Sequence, residues 1–305
     1  MNVGPSSSGG YDGTSCNSRF PHLHRVAAGL GIEPDRLVRA FEIERDFHRR
    51  ILEEDDPRKR KEMYRSVYET VHPIYGTKPL TAGKGNPKDR TVRLFRRELS
   101  GKSILEVGCG NGLFLRSVAR LLPHRELVGL DISTPVLPVS EQGIRFINAD
   151  IIDFKVSESF DIVYSEHVIE HIAPDDLATH LGSLKGAMAD DGLLIISAPN
   201  GRFGPSDVTR ILDSSRRGRM KAMGTHLHEP THSELMHILR KSGFNRFRTI
   251  IPFMKLRNYL SFVRLDAETV ARAEGSRMMM GLLRALRFRG ECIGRFDTVL
   301  ICSRN

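Results

Sequence analysis

Apolar and polar positions change their spacing several times along this 305-residue chain, and each change marks an element. The clearest passage is Ser103 to Leu115, SILEVGCGNGLFL. An apolar run from Ile104 to Val107 leads into glycines at 108, 110 and 112, after which Phe114, Val118, Leu121 and Leu122 recur at helical spacing up to Pro123. That pattern predicts a strand, a glycine turn and a helix. Further short apolar runs predict buried strands at Glu126–Asp131, Ile144–Asp150, Phe160–Glu166 and Gly192–Pro199. Phe244–Met254 and Asp297–Ser303 read as the last two. Pro174-Asp175-Asp176 has the form of a helix cap. Thr231 to Glu234 opens another helix in capping-box fashion, with Leu235, Ile238 and Leu239 as its apolar face up to Gly243.

The flanks have weaker patterns. Residues 1–32 read as a flexible tail; the first 20 are rich in Gly and Ser and lack the apolar core of a signal peptide or membrane span. Glu33-Pro34-Asp35 predicts a helix start, followed by the apolar pairs Leu37/Phe41 and Phe47/Ile51. A charged break, EEDDPRKRK, precedes a second helix with Met63, Val67 and Val71 on one face, which Pro73 is expected to stop. Residues 33–90 thus form a helical N-terminal extension ahead of a main domain, 91–305. Tyr75 to Arg90, with its glycines and prolines, reads as a loop whose lysines either approach a ligand or merely connect. Ser206–Met223 is polar and basic, which predicts a mobile lid within 201–225. Residues 255–295 form an insertion with a helix around Met278–Phe288. Its Met/Leu face is interleaved with Arg277, Arg284, Arg287 and Arg289, and either docks on a lipid surface or packs on the core.

Composition adds a little. At 40% hydrophobic residues the chain can bury a sizeable core. Cys16, Cys109, Cys292 and Cys302 show no C-x-x-C spacing, so neither a zinc site nor a disulfide framework is indicated, and a reducing cytoplasm is the expected compartment. The net charge is +9, and from Gly201 onward 20 Lys/Arg face 9 Asp/Glu, which leaves the preceding part slightly acidic. A basic final third either attracts anions or simply keeps a face solvated.

The chemistry concentrates at the strand ends. Glycines without Cβ let the backbone lie against a ligand, and the helix start behind them presents free N–H groups. Asp131 ends the next strand about 20 residues on, where nucleotide folds grip ribose hydroxyls. The dinucleotide pattern G-x-G-x-x-G would need glycine at 113, where this chain has Leu113. A nicotinamide dehydrogenase is therefore disfavoured.

ILEVGCGNG with VGLD resembles motif I and its successor in class I S-adenosylmethionine (SAM)-dependent methyltransferases, and SEHVIEHI resembles the run after strand four in the branch that holds ubiquinone-biosynthesis methyltransferases. The resemblance spans Ser103 to about Phe244. It implies an α/β fold with a Rossmann-like, mostly parallel sheet of about seven strands, helices on both faces and a final antiparallel hairpin. SAM is the implied cofactor. The implied cofactor-binding residues are Glu106, Gly108, Cys109, Gly110, Gly112, Asp131, Ile132, Asp150, Ile151, Glu166 and His167, with Asp131 toward ribose, Asp150 toward the adenine amino group and Ile151 over the ring. The N-terminal helices are expected to form a lid or substrate wall, or else to pack on the sheet's outer face.

An oxygen or amine nucleophile needs at most one base, and the candidates are His228, His167 and His171. His228 leads because the resemblance directs the loop of His226, His228 and Glu229 toward the acceptor. His167 and His171, four apart, share a face if their segment is helical. A metal set of His226, His228 and His232 is weighed and not adopted. Neither N-P-P-Y nor D-P-P-Y follows strand four, and Cys109 lies inside the glycine loop, so base methylation of nucleic acid is not indicated. A small-molecule, lipid-linked or glycan-precursor acceptor is expected, methylated on O, N or C. Two other readings stand beside it: an RNA methyltransferase that binds phosphates through the basic final third, and a SAM-binding subunit without catalysis.

Overall fold

The computed structural model describes residues 19–75, 85–132, 140–141, 143–251, 260–285 and 297–304. Its centre is a nine-stranded sheet. The strands are β1 (Lys102–Val107), β2 (His124–Asp131), β3 (Ser140–Glu141), β4 (Ile144–Asn148), β5 (Phe160–Glu166), β6 (Met188–Pro199), β7 (Arg246–Thr249), β8 (Leu265–Asp266) and β9 (Asp297–Ser303). Their order is β3-β4-β2-β1-β5-β6-β9-β7-β8. The run from β4 to β6 is parallel, while β9 pairs antiparallel with both β6 and β7. Seven strands carry the sheet, as expected, because β3 and β8 are two-residue edges.

Both faces of the parallel strands are covered, which is why they read as continuous apolar runs. Leu105, Val107, Val128, Leu130 and Val163 face one core, and Ile104, Leu127, Ile162, Tyr164 and Ile195 face the other. The chain order reverses between β2-β1 and β5-β6, so a crevice opens where the C-terminal ends of β1, β2 and β5 meet.

The N-terminal extension holds three helices among the described residues: α1 (Leu23–Leu30), α2 (Pro34–Glu53) and α3 (Pro57–Tyr75). The first lies inside the span expected to be a tail. Phe20, Leu23, Val26 and Ala27 are buried against Leu37 and Phe41, and the sequence pattern missed this because the apolar stretch is so short. Residues 1–18 lie outside the described residues. α2 starts at Pro34 as expected, with Pro in the first turn where its missing N–H costs nothing. α3, however, runs through Pro73 to Tyr75 instead of stopping there.

The expected lid is packed in place. Val208 and Ile211 join the core of α1 and α2, and Asp207 accepts N–H groups from Thr209 and Gly224. Pro174–Asp176 does open the next helix, Leu177–Gly186, with Asp176 at its N-cap position, but the Asp176 side chain makes no capping bond. It lies buried in a two-bond pair with Arg60 of α3, at 2.5 and 2.9 Å, and it also accepts from Tyr64. The capping box at Thr231 and Glu234 is present and starts helix His232–Lys241. Of the helix expected around Met278–Phe288, the described part is Arg277–Ala285; Arg287 and Arg289 fall outside the described residues. Among the described residues no helix is long and apolar enough to cross a membrane.

Candidate active site

The glycine turn sits at the C-terminal end of β1 with Gly108, Gly110 and Gly112 all at positive φ. Two of them also need the missing Cβ. A Cβ on Gly108 would stand 2.3 Å from Val168 Cγ2, and one on Gly112 would stand 2.7 Å from the Phe146 ring. The turn is closed by Asp131, whose Oδ2 accepts the Gly110 N–H at 2.7 Å. Cys109 is buried beside it, and burial pushes its thiol well above the ordinary range. A thiol kept protonated in this way is a poor nucleophile.

Glu106, the residue before Val107 on β1, is buried and accepts the Leu115 N–H at the start of helix α6 (Leu113–Leu121), which follows α4 (Asp89–Leu94) and α5 (Arg96–Leu99). Its Oε2 has no hydrogen-bond partner among the described residues. Burial, reinforced by the charge of Glu166, raises its carboxyl well above the usual carboxylate range, and Lys88 offsets only part of this. A buried carboxyl oxygen without a donor beside an open glycine turn suits a ligand bearing a cationic nitrogen.

Glu166 ends β5, where Lys88 Nζ contacts its Oε2 at 2.6 Å and Tyr164 donates to the same oxygen at 2.7 Å. Burial opposes its charge, but the Lys88 ammonium keeps the carboxyl below its ordinary value. One lysine of the Tyr75–Arg90 stretch thus does reach the crevice. Asp150 already has partners on both oxygens, the Ile152 N–H at 3.0 Å and Lys61 Nζ at 2.9 Å. A donor arriving there shares the carboxylate with Lys61. Asn148 donates to the carbonyl of Ile132 at 3.1 Å.

The segment after β5 is not an α-helix. His167 takes a left-handed backbone, φ 56°, a strained state for a side chain of this size, and Ile169–His171 form a single 3₁₀ turn. His167 and His171 therefore do not share a helical face. They converge instead on Glu170, which is fully buried. His167 Nδ1 lies 3.2 Å from Glu170 Oε1, and His171 Nε2 lies 3.9 Å from the same oxygen. The loop of His226 and His228 is held onto the same residue, since the Leu227 and His228 N–H groups both bond the Glu170 carbonyl. Tyr68 of α3 packs edge-on against the His171 ring. Helix α3 thus packs onto this histidine segment.

The four imidazoles differ in how readily they hold a proton. Burial opposes a proton on His226, but its 2.8 Å bond to Glu229 and the charges of Glu170 and Asp207 outweigh that and raise it to about 9. Burial, with the charge of His226, lowers His171 to about 4. Burial also lowers His228, whose two ring nitrogens have no partner among the described residues. For His167 the pair with Glu170 prevails over burial and raises it. Glu170, although buried, is held down to about 2 by the His167 bond and the surrounding histidines.

His232 is elsewhere, with its Nδ1 3.3 Å from Glu274, so the weighed set of His226, His228 and His232 does not assemble. Asn200 bonds Glu274 and Thr298 and is a buried structural node. Glu170, Tyr68 and Lys61 were not singled out for the site. Glu170 stood in view inside EHVIEHI, whereas nothing in the sequence pairs His226 with a residue more than 50 positions earlier.

A ubiquinone biosynthesis O-methyltransferase of Ruegeria pomeroyi is 32% identical over 158 residues, 48% of this chain and 61% of that protein. One of Cereibacter sphaeroides is 30% identical over 168 residues, 50% of this chain and 66% of that protein. The chain thus spans less than two thirds of the length of these relatives. A SAM-dependent methyltransferase of Mesorhizobium loti superposes with a TM-score of 0.45 at 18% identity, covering 72% of this chain and 99% of that one. A family model described as a methyltransferase domain matches residues 83–247, more than half of the chain, and the chain belongs to that methyltransferase family.

Proposed function

We propose that the protein is a SAM-dependent methyltransferase acting on a small-molecule or lipid-type acceptor, with oxygen as the nucleophile, in the cytoplasm. The observation that carries the reading is the glycine turn lying beside a buried, unpartnered Glu106 oxygen, with the histidine segment packed onto that turn through Val168. The choice of oxygen follows the printed names of the O-methyltransferase relatives.

SAM, when bound, supplies an electrophilic methyl group on a sulfonium sulfur. Glu106 would meet its ammonium group, and Asp131, Ile132, Asp150 and Ile151 would meet the ribose and adenine. The protein's main task is then alignment, because an in-line displacement gains most from a held geometry. His228, neutral and without a ring partner, is the group best suited to take the acceptor's proton. Tyr68 and His171, packed edge-on, would help to shield the acceptor from water. The helical extension of residues 33–90 serves here as a substrate wall.

The test is calorimetric titration of S-adenosylhomocysteine into the wild-type chain and into Asp131→Asn. We expect saturable binding in the wild type and at least tenfold weaker binding in the variant. Absence of binding to folded wild-type protein overturns the reading.

A further inference from the structure

Arg60 and Lys61 are neighbours in the first turns of α3, and their side chains leave the helix about 100° apart. Arg60 is fixed by its buried pair with Asp176 and by the carbonyls of Glu54 and Asp55. Lys61 is thereby carried to the turn after β4, where its Nζ stands 2.9 Å from Asp150 Oδ2. Helix Leu177–Gly186 holds the same turn: the fully buried His180 donates from Nδ1 to the Ile151 carbonyl at 2.7 Å, and Ser183 donates to the Ile152 carbonyl at 3.0 Å. The Ile152 side chain packs into the apolar cluster of α2 and α3 with Tyr64 and Val67. A helix of the N-terminal extension and the turn that carries Asp150 and Ile151 thus form one unit.

Lys61 adds little to the stability of that unit. Its side chain is 47% exposed, and an ion pair so open to water contributes little to folding. Asp150 is more enclosed, at 10%. What the ammonium changes is the hydrogen-bonding character of the place, since it sets a donor beside an acceptor. We propose that Lys61 is a specificity-determining residue of the cofactor pocket, forming with Asp150 a donor–acceptor pair that reads the amino-bearing edge of a purine and accepts hypoxanthine as well as adenine.

The inference rests on the methyltransferase reading, in which Asp150 meets the adenine amino group. A carboxylate offers about four acceptor sites, and here the Ile152 N–H and Lys61 take one each, so Asp150 can still accept from a ligand. A carboxylate alone suits the amino group and opposes a carbonyl oxygen in its place, because acceptor would then face acceptor. The Lys61 ammonium supplies the missing donor. It can serve N1 of adenine while Asp150 accepts from the amino group, or O6 of hypoxanthine while Asp150 accepts the N1–H. Removing the ammonium leaves the adenine pairing to Asp150 intact and strands the O6 of hypoxanthine.

The test is calorimetric titration of S-adenosylhomocysteine and of its deaminated analogue, S-inosylhomocysteine, into the full wild-type chain and into Lys61→Met. We expect the wild type to bind the two ligands within about tenfold of each other, a reading that needs no variant. In Lys61→Met the inosyl ligand should weaken at least about tenfold more than the adenosyl ligand. A wild-type preference for the adenosyl ligand of more than about tenfold, or a smaller change of the ratio in Lys61→Met, overturns the role of Lys61 and leaves the methyltransferase reading in place. Equal weakening of both ligands has the same meaning, since it marks a structural contribution without readout of the base. If folded wild-type protein binds neither ligand, the methyltransferase reading fails, and the role of Lys61 fails with it.

Discussion

Gly108 carries two constraints at once, a φ of +77° and a Val168 methyl where its Cβ would lie. A Gly108→Ala variant meets both the left-handed penalty and overpacking, together about 3 kcal/mol. Trimming Val168 to Ala in the same chain relieves only the packing part. We expect urea unfolding to show the single variant strongly destabilised and the double variant partly recovered; equal stability of the two would show that Val168 does not press on the turn. That the stretch is a glycine turn was plain from the sequence. Which glycine bears the load was not, because Val168 is 60 positions away and meets Gly108 only once β1 and β5 pair. The same holds for Glu106, whose acid was visible but whose unsatisfied oxygen exists only in the folded crevice.

At the scale of elements, α3 is joined to the sheet domain through Arg60 and Asp176, both nearly inaccessible to solvent. Removing one partner of a buried pair strands the other charge. Asp176→Asn is therefore expected to cost about 3–5 kcal/mol, whereas replacing both with Arg60→Met and Asp176→Leu is expected to cost much less. The exposed Arg145, paired with Glu126 and Glu158, provides a contrast: Arg145→Gln should change stability by under about 1 kcal/mol. Urea midpoints of the four proteins decide it, and an Asp176→Asn loss no larger than that of Arg145→Gln would remove this pair as the anchor. The sequence put Asp176 in a cap because Pro-Asp-Asp before an apolar run is a local signal. Its partner lies 116 residues upstream, and no local pattern encodes a pairing at that distance. The strands fared better for the converse reason: burial on both faces leaves its mark within each strand, so every long strand of the sheet was readable.

Across the whole molecule, the N-terminal helices and the site loop meet at Glu44. This residue of α2 is buried, accepts from Tyr75 of α3 and from the Thr225 N–H, and lies near Asp207 and His226. Sequence periodicity gave it no role, since a glutamate between apolar pairs reads as solvent-facing. Burial, aided by Asp207, raises its carboxyl from 4.5 to about 7 against the opposing bonds from Tyr75 and Thr225. Between those values the folded protein keeps the proton while the unfolded chain has released it. The unfolded state then binds fewer protons, so this group's contribution falls as pH rises through the window and stops falling above about 7. Glu44→Gln cannot ionise and escapes the loss. The variant should match the wild type near pH 4.5 and exceed it by roughly 3 kcal/mol at pH 8. Groups common to both proteins cancel in that difference, so denaturant midpoints of the pair across pH 4.5–8 isolate Glu44. A difference that stays flat would mean that Glu44 is ionised throughout, and that the junction between the helical extension and the loop of His226 rests on its negative charge.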